Sequence, residues 1–205
     1  MSDRVPVGSG VSRETEARLR RFAELVLKWS GRINLVAPGD LPDLWQRHVV
    51  DSMQLAPLAP ASGGDWLDIG SGGGFPGLVL AILFDDSRPD ITMTLVEADR
   101  RKAAFLHHAA QALDLRVRIL TARSEAVDPQ GAAVVSARAL APLAVLLGHA
   151  ARHLAPGGRG VFPKGRAWQQ EVAKAREEWQ FSLTTRSSLT DPEARILVVE
   201  GLSRA

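Results

Sequence analysis

Apolar positions recur along the chain with two different periods, and the change from one to the other divides it. From Ser12, a suitable N-cap, Leu19, Phe22, Ala23, Val26 and Ile33 keep helical spacing, with Arg18, Arg20, Arg21 and Lys28 largely off that stripe. This spacing predicts a first helix. Asp40 is a second cap candidate, and LPDLWQRHVVDSMQL (41–55) reads as a second helix beginning after it. Residues 1–11 read as a frayed leader. The Pro- and Gly-bearing stretch PLAPASGG (57–64) is the one convincing linker, which puts a boundary near residue 62. The chain then divides into a helical extension over 1–62 and a larger domain over 63–205.

Beyond the linker, strands and helices alternate. WLDIG (66–70), MTLVE (93–97), RVRILTA (116–122), AAVVSA (132–137) and RGVFPK (159–164) read as strands. Between and after them, helices are expected from about Pro76 to Phe84, over RRKAAFLHHAAQAL (100–113), over LAPLAVLLGHAARHL (140–154) and over WQQEVAKAREEW (168–179). Repeated βα units imply a parallel, doubly wound, Rossmann-like sheet. The end breaks the rhythm: FSLTTRSSL (181–189) and ARILVVEGL (194–202) are joined through too few residues for a crossover helix. They must form a hairpin, which adds an antiparallel strand to a mostly parallel seven-stranded sheet.

The turn after the first strand, Asp68-Ile69-Gly70-Ser71-Gly72-Gly73-Gly74-Phe75-Pro76-Gly77, carries the first chemical signal. Glycines between a strand and a helix let the backbone approach a ligand where a β-carbon would clash. In an open parallel sheet, the carboxyl end of the first strand is where ligands bind. Two patterns overlap here. Gly72-x-Gly74-x-x-Gly77 satisfies the dinucleotide fingerprint, a weak signal alone. Asp68-x-Gly70-x-Gly72-x-Gly74 instead resembles the first motif of class I S-adenosylmethionine-dependent methyltransferases. The acid two residues before the first glycine can orient the loop and reach the cationic end of a cofactor. The closing hairpin also resembles the sixth and seventh strands of that fold. Glu97 ends the second strand, where a carboxylate can accept both ribose hydroxyls or can simply be a solvated strand-end acid.

Composition narrows the chemistry further. Cysteine and tyrosine are absent, which excludes disulfides, thiolate metal sites and cysteine or phenol catalysis. The net charge of +2 conceals blocks: residues 63–98 hold one Arg against six acids, 99–123 hold six Lys or Arg against two Asp, and 152–176 hold six against one Glu. Such separation suits a polyanion meeting one face, or ordinary solvated helix faces. No apolar run approaches the 18–20 residues or so of a membrane span, and no apolar signal core opens the chain, so a cytoplasmic location is expected.

Six ordered segments give a narrower likeness: WSGRINL (29–35), RHVVDS (47–52), DIGSGGGFPG (68–77), RSEAV (123–127), SARALAPL (136–143) and PKG (163–165). From about residue 20 to the C-terminus, the chain resembles the bacterial small-subunit ribosomal RNA guanine-N7 methyltransferases, also called the glucose-inhibited division protein B family. The resemblance implies an α/β class I methyltransferase fold with an N-terminal helical extension. It implies S-adenosylmethionine as cofactor and 16S rRNA of the small ribosomal subunit as partner, with a monomer and no metal expected. Family cofactor contacts carry over to Gly70, Phe75, Ser124, Glu125 and Arg138. Ser124 stands where the family more often has alanine. Asp68, Gly72, Gly74 and Glu97 complete the expected cofactor set.

The acceptor chemistry is checked by what is missing. Methyltransferases of exocyclic amines carry an Asn/Asp-Pro-Pro-aromatic tetrad after the fourth strand, where this chain has Ser136-Ala137-Arg138-Ala139. Carbon-5 pyrimidine methylation needs a cysteine adduct. Guanine N7 already offers a lone pair. Arg138 is the candidate positioning residue, able to hold a phosphate or guanine O6, with a structural ion pair as the alternative. His48 and Asp51, three apart, could bracket the acceptor with Asn34, or could be a helix-packing pair. Arg123, Lys164 and Arg166 are candidate RNA contacts, with Arg100, Arg101, Lys102 and Lys174 as further basic residues. Trp29 and Trp45 could stack on bases or belong to the core. A small-molecule methyltransferase and a cofactor-sensing ribosome-binding protein remain rival readings.

Overall fold

The computed structural model describes residues 11–205, so the expected leader falls outside the described residues apart from Val11. Helix α1 (Arg13–Ser30) begins as the spacing predicts: Thr15 N–H donates to Ser12 Oγ at 3.0 Å. Its stripe of Leu19, Phe22 and Val26 is fully buried, each side chain contributing about 1.5–3 kcal/mol relative to exposure. The helix stops at Gly31, so Ile33 lies beyond it and only packs against its edge.

The second helix takes a different form from the one expected. Pro38–Asp43 is a 3₁₀ turn, Trp45–Val50 a π turn, α2 (Asp51–Met53) one turn of α-helix and Ala56–Leu58 a further 3₁₀ turn. Asp40 caps nothing. It sits inside the first turn, and its carboxylate pairs forward with Arg47 and His48. Single π turns are rare and are frequently found at functional sites. Here the Arg47 carbonyl accepts from Arg138 Nη2 at 2.7 Å.

The sheet has the order β3-β2-β1-β4-β5-β7-β6. Strands β1 (Gly64–Ile69), β2 (Ile91–Val96), β3 (Val117–Leu120), β4 (Ala132–Ser136) and β5 (Leu154–Lys164) run parallel. Helices α3 (Gly77–Ser87), α4 (Arg100–Ala112), α5 (Leu143–His153) and α6 (Trp168–Ala175) alternate with them. The closing hairpin of β6 (Trp179–Ser187) and β7 (Arg195–Arg204) is antiparallel, with β7 inserted between β5 and β6. Strand β5 starts five residues before the predicted RGVFPK, because α5 ends at His153 and the chain enters the strand at once.

One apolar cluster joins α1 and the 35–58 segment to α3, α4 and one face of the sheet, while a second fills the opposite face under α5 and α6. The extension therefore shares its core with the sheet. Among the described residues no helix is long and apolar enough to cross a membrane.

Candidate active site

The carboxyl ends of the parallel strands meet the 35–48 segment around a cavity of about 660 Å³. Its floor is the turn after β1. Gly70 and Ser71 N–H both donate to the Val96 carbonyl, at 2.8 and 3.2 Å, which ties the turn to the end of β2. Gly70 and Gly72 have φ of +68° and +52°, a region that side-chain-bearing residues rarely adopt. A β-carbon at Gly72 would meet nothing nearer than the Gly70 carbonyl at 3.7 Å, so this face is bare and open. Glu97 Oε2 accepts from Gly72 N–H and Oε1 from Asp99 N–H, both at 2.8 Å. Each oxygen keeps a lone pair for a further hydrogen bond.

Asp68 does not reach the cavity wall. It is fully buried behind the turn, accepting from Ser136 Oγ at 2.7 Å and from Gly77 N–H at 3.2 Å. Ser136 is its register partner on β4 and itself accepts from Trp66 Nε1 at 2.9 Å. Burial pushes the Asp68 carboxyl up to about 6, against the pull of these hydrogen bonds. Its place is orientation of the loop, and its expected reach to a ligand is corrected. Gly74 is likewise outside the wall: a β-carbon there would strike Leu78 at 2.8 Å and Phe22 at 3.0 Å, so the residue is glycine for the packing of α1 and α3. Gly73 lines the cavity in its stead.

At the other end, Phe75 stacks between Phe22 and His48, with ring centroids 5.2 and 5.0 Å away. Arg138, delivered by the loop after β4, gathers three partners. Nη1 donates to His48 Nδ1 at 2.7 Å, Nη2 to the Arg47 carbonyl at 2.7 Å, and Nε pairs with Asp51 Oδ2 at 3.1 Å. A guanidinium only donates, so Nδ1 of His48 must be the bare nitrogen, and its proton sits on Nε2, 3.3 Å from Asp40 Oδ2. Burial, followed by the Arg138 charge, lowers the His48 pKa to about 4, so the ring is neutral at pH 7. His48 and Asp51 thus meet through Arg138.

A smaller cavity of about 410 Å³ adjoins the first through Arg47, Arg138 and Ala139. It lies between Asp51, Gln54, the end of β5 and the 188–195 hairpin loop. That loop is docked: Gln54 Oε1 accepts from Leu189 N–H at 2.8 Å, and Thr190 Oγ1 donates to Asp51 Oδ1 at 2.7 Å.

The remaining candidates scatter. Ser124, Glu125 and Arg123 line the larger cavity. Lys164 is only 8% exposed and gives its ammonium to Glu171 and to the Ala141 carbonyl, both at 2.7 Å, so it braces the 139–143 loop. Its expected place as a free phosphate contact is corrected accordingly. Arg166 lines a separate hollow with Glu171, Asp191 and Glu193, and Asn34 is exposed outside the wall. Trp29 packs on Phe105, and Trp45 lies under Arg20. Among the described residues, no three His, Asp or Glu side chains could hold a metal ion.

The model of the GidB family, described as rRNA small subunit methyltransferase G, matches residues 15–197. The chain belongs to that family. It is a methyltransferase on the class I S-adenosylmethionine-dependent fold. The ribosomal RNA small subunit methyltransferase G of Ruegeria pomeroyi is 48% identical over 194 residues, covering 95% of each chain. That of Paramagnetospirillum magneticum is 49% identical over 196 residues, covering 96% of this chain and 93% of its own. Among solved structures, M. jannaschii TYW2 in complex with AdoMet is similar in fold, with a TM-score of 0.58 at 13% identity over 85% of this chain and 80% of that one. A SAM-dependent methyltransferase from Aquifex aeolicus has a TM-score of 0.58 at 11% identity over 78% of this chain and 92% of that one.

Three residues of this methyltransferase's candidate site escaped the sequence reading. Arg47 flanks both cavities, Asp40 carries the His48 proton's partner oxygen, and His149 of α5 lines the larger cavity beside Ser124. The RHVVDS segment flagged the neighbourhood of the first. Nothing local marks His149.

Proposed function

We propose that this methyltransferase carries the methyl group of S-adenosylmethionine to N7 of one guanine in 16S rRNA, working as a monomer in the cytoplasm on the small ribosomal subunit. S-adenosylmethionine supplies an electrophilic methyl on a sulfonium. The bare turn Gly70–Gly73 and Phe75 fit it, because a β-carbon at Gly72 would enter the space it needs. Glu97 takes the ribose hydroxyls on its free lone pairs, and Ser124 and Glu125 edge the adenine. Asp68 and Gly74 support the turn from behind.

One observation carries the choice of N7. Among the described residues at the acceptor end, every candidate base is already engaged: His48 Nδ1 by Arg138, Asp51 by Arg138 and Thr190, and Asp40 by Arg47 and His48. An amine or hydroxyl acceptor would need a proton removed, whereas N7 attacks with a lone pair it already has. The residues then have only to align the reactants and exclude water, an effect worth about 7–11 kcal/mol in well-oriented systems.

Arg138 donates one N–H from each terminal nitrogen and pairs with Asp51 through Nε, which leaves the second N–H of each terminal nitrogen for guanine O6 or a phosphate. It does not donate to N7, which would occupy the attacking lone pair. The helical extension before residue 63 supplies the acceptor side through Asp40, Arg47 and His48. Arg123, Arg47 and Lys102 at the rim meet the sugar–phosphate backbone of an extruded nucleotide.

The test is incubation with labelled S-adenosylmethionine and small subunits from cells lacking the enzyme. Label at N7 of a 16S guanine is expected. Label on an exocyclic amine, or only on a small metabolite, would overturn the reading.

A further inference from the structure

Helix α5 carries a cluster that neither the glycine turn nor the acceptor end uses, His149-Ala150-Ala151-Arg152-His153. Residues 149, 152 and 153 share one helix face, and all three grip the loop after β3. His149 Nδ1 lies 2.9 Å from Ser124 Oγ. Arg152 donates twice to the Val127 carbonyl, at 2.9 and 3.1 Å. His153 is fully buried with Nε2 at 3.0 Å from the Ser124 carbonyl. A carbonyl only accepts, so the His153 proton is on Nε2, and its buried Nδ1 is left without a partner. Ser124 is thus held by its hydroxyl from one imidazole and by its carbonyl from the next turn of the same helix.

His149 differs from the other two in facing the larger cavity. Its Nε2 stands 3.8 Å from Glu125 Oε1, beyond hydrogen-bond reach but within the range of charge and dipole attraction. Glu125 Oε2 is 3.5 Å from Ser124 Oγ. Ser124 has one hydroxyl proton, and given to His149 Nδ1 at the shorter 2.9 Å it leaves the ring's own proton on Nε2. His149 then draws the carboxylate, two-thirds exposed, back toward the cavity, and Ser124 fixes the tautomer that does so. Its own backbone N–H, then the nearby cations, hold it below the usual carboxylate range, so it is an acceptor at neutral pH. An anion there welcomes an exocyclic amine and opposes a carbonyl oxygen.

We propose that His149 is a positioning residue that aims Glu125 at the six-position of the methyl donor's purine and so makes this site select a 6-amino over a 6-oxo base. The inference rests on the reading of the larger cavity as the donor site, and goes beyond it by naming the selectivity and the helix that sets it.

The experiment titrates the full chain with S-adenosylhomocysteine and with S-inosylhomocysteine, and measures KM and kcat with S-adenosylmethionine. Wild type is expected to favour the amino compound by at least about tenfold. His149→Ala is expected to weaken it about tenfold and to shrink that preference, with KM rising in step and kcat within about twofold. Glutamine places an amide where Nε2 was, so His149→Gln restores most of both effects. Ser124→Ala, which removes the hydroxyl that fixes the His149 tautomer, is expected to act more weakly in the same direction and serves if the alanine variant at 149 fails to fold. Wild-type affinity and wild-type preference in His149→Ala or in Ser124→Ala would overturn the role of His149 alone. Wild type that binds neither compound would bring down the donor reading with it.

Discussion

The two ends of the larger cavity are built by opposite means. The end at residues 70–97 is main chain: glycines at left-handed φ, amide groups pinned to β2, and one carboxylate, Glu97, fixed by two backbone N–H groups. The end at Arg138 is mostly side chain on side chain, with partners from residues 47, 48 and 51 converging on one guanidinium and Asp40 pairing behind them with Arg47 and His48. A ligand held by main chain is recognised by shape, which any substitution with a β-carbon spoils. A ligand held beside a shared guanidinium depends on a network, where losing one member strands the others.

The largest expected effect therefore comes from the main-chain end. Gly72→Val is strained at a φ of +52° and sends branches into the open space of the cavity. S-adenosylhomocysteine affinity should fall at least about a hundredfold, some 2.7 kcal/mol, as read by calorimetry. The melting temperature should move only a few degrees, because no packed neighbour is displaced. Near-wild-type affinity would remove the turn from the site. At the network end, Arg138→Ala should reduce kcat about a hundredfold or more and weaken S-adenosylhomocysteine binding only about tenfold, since Arg138 also lines the donor cavity. Arg138→Lys should not rescue it, since one ammonium cannot replace a planar fork that meets three partners. Equal losses in kcat and in donor affinity would show that the two ends are not separable in this way.

The same contrast decides what could be read from the sequence. The alternation of strands and helices in the parallel core, the antiparallel hairpin and the glycine turn each rest on signals within a few residues of one another, and all are present in the structure. Non-local packing explains the rest. Gly74 looks like its neighbours in sequence, yet Phe22, from a helix some fifty residues earlier, joins Leu78 in crowding the space a side chain would need. Asp68 reads as a ligand group until Ser136 is found beside it on β4. Asp40 has the residue type of an N-cap, but Arg47 and His48 outbid the helix amides for its carboxylate. His48 and Arg138 lie ninety positions apart, and no periodicity in either segment announces their bond. His149 sits on an ordinary amphipathic helix whose stripe says only that one face is buried.

Next in size is a pH effect in which two buried groups oppose each other. His48 drops from an ordinary 6.5 to about 4 on folding. As pH falls from 6.5 to 4, the unfolded chain takes up a proton that the folded chain refuses, so stability declines at up to about 1.4 kcal/mol per unit. Asp68 rises from 3.8 to about 6. Over pH 6 to 4 the folded chain takes up that proton first, so stability increases with the opposite slope. The two contributions largely cancel between pH 4 and 6. Replacing either group should expose the other: relative to wild type, His48→Gln becomes more stable on acidification and Asp68→Asn less stable, as followed by urea denaturation at each pH. Variant-to-wild-type differences that do not change with pH would show that neither group titrates as its surroundings dictate.

The smallest effect belongs to the seam between the network end and the hairpin. Gln54 is its clasp, accepting from Leu189 N–H at 2.8 Å while its amide donates to Asp51 Oδ1 at 2.8 Å. Gln54→Ala removes both bonds and a longer one from its amide to Ser188 Oγ at 3.3 Å, but the loop lies at the surface, where water can satisfy the freed groups. The cost should be about 1 kcal/mol, or some 2–4 °C in melting temperature for a chain of this size. Thr190 still holds Asp51 at 2.7 Å, so Arg138 keeps its carboxylate and kcat should stay within about twofold. Hydrogen exchange should quicken at 188–194 and leave residues 70–74 unchanged, because nothing in the glycine turn touches this loop. A kcat that fell as far as in Arg138→Ala would mean that the loop, and not the guanidinium, organises the acceptor side.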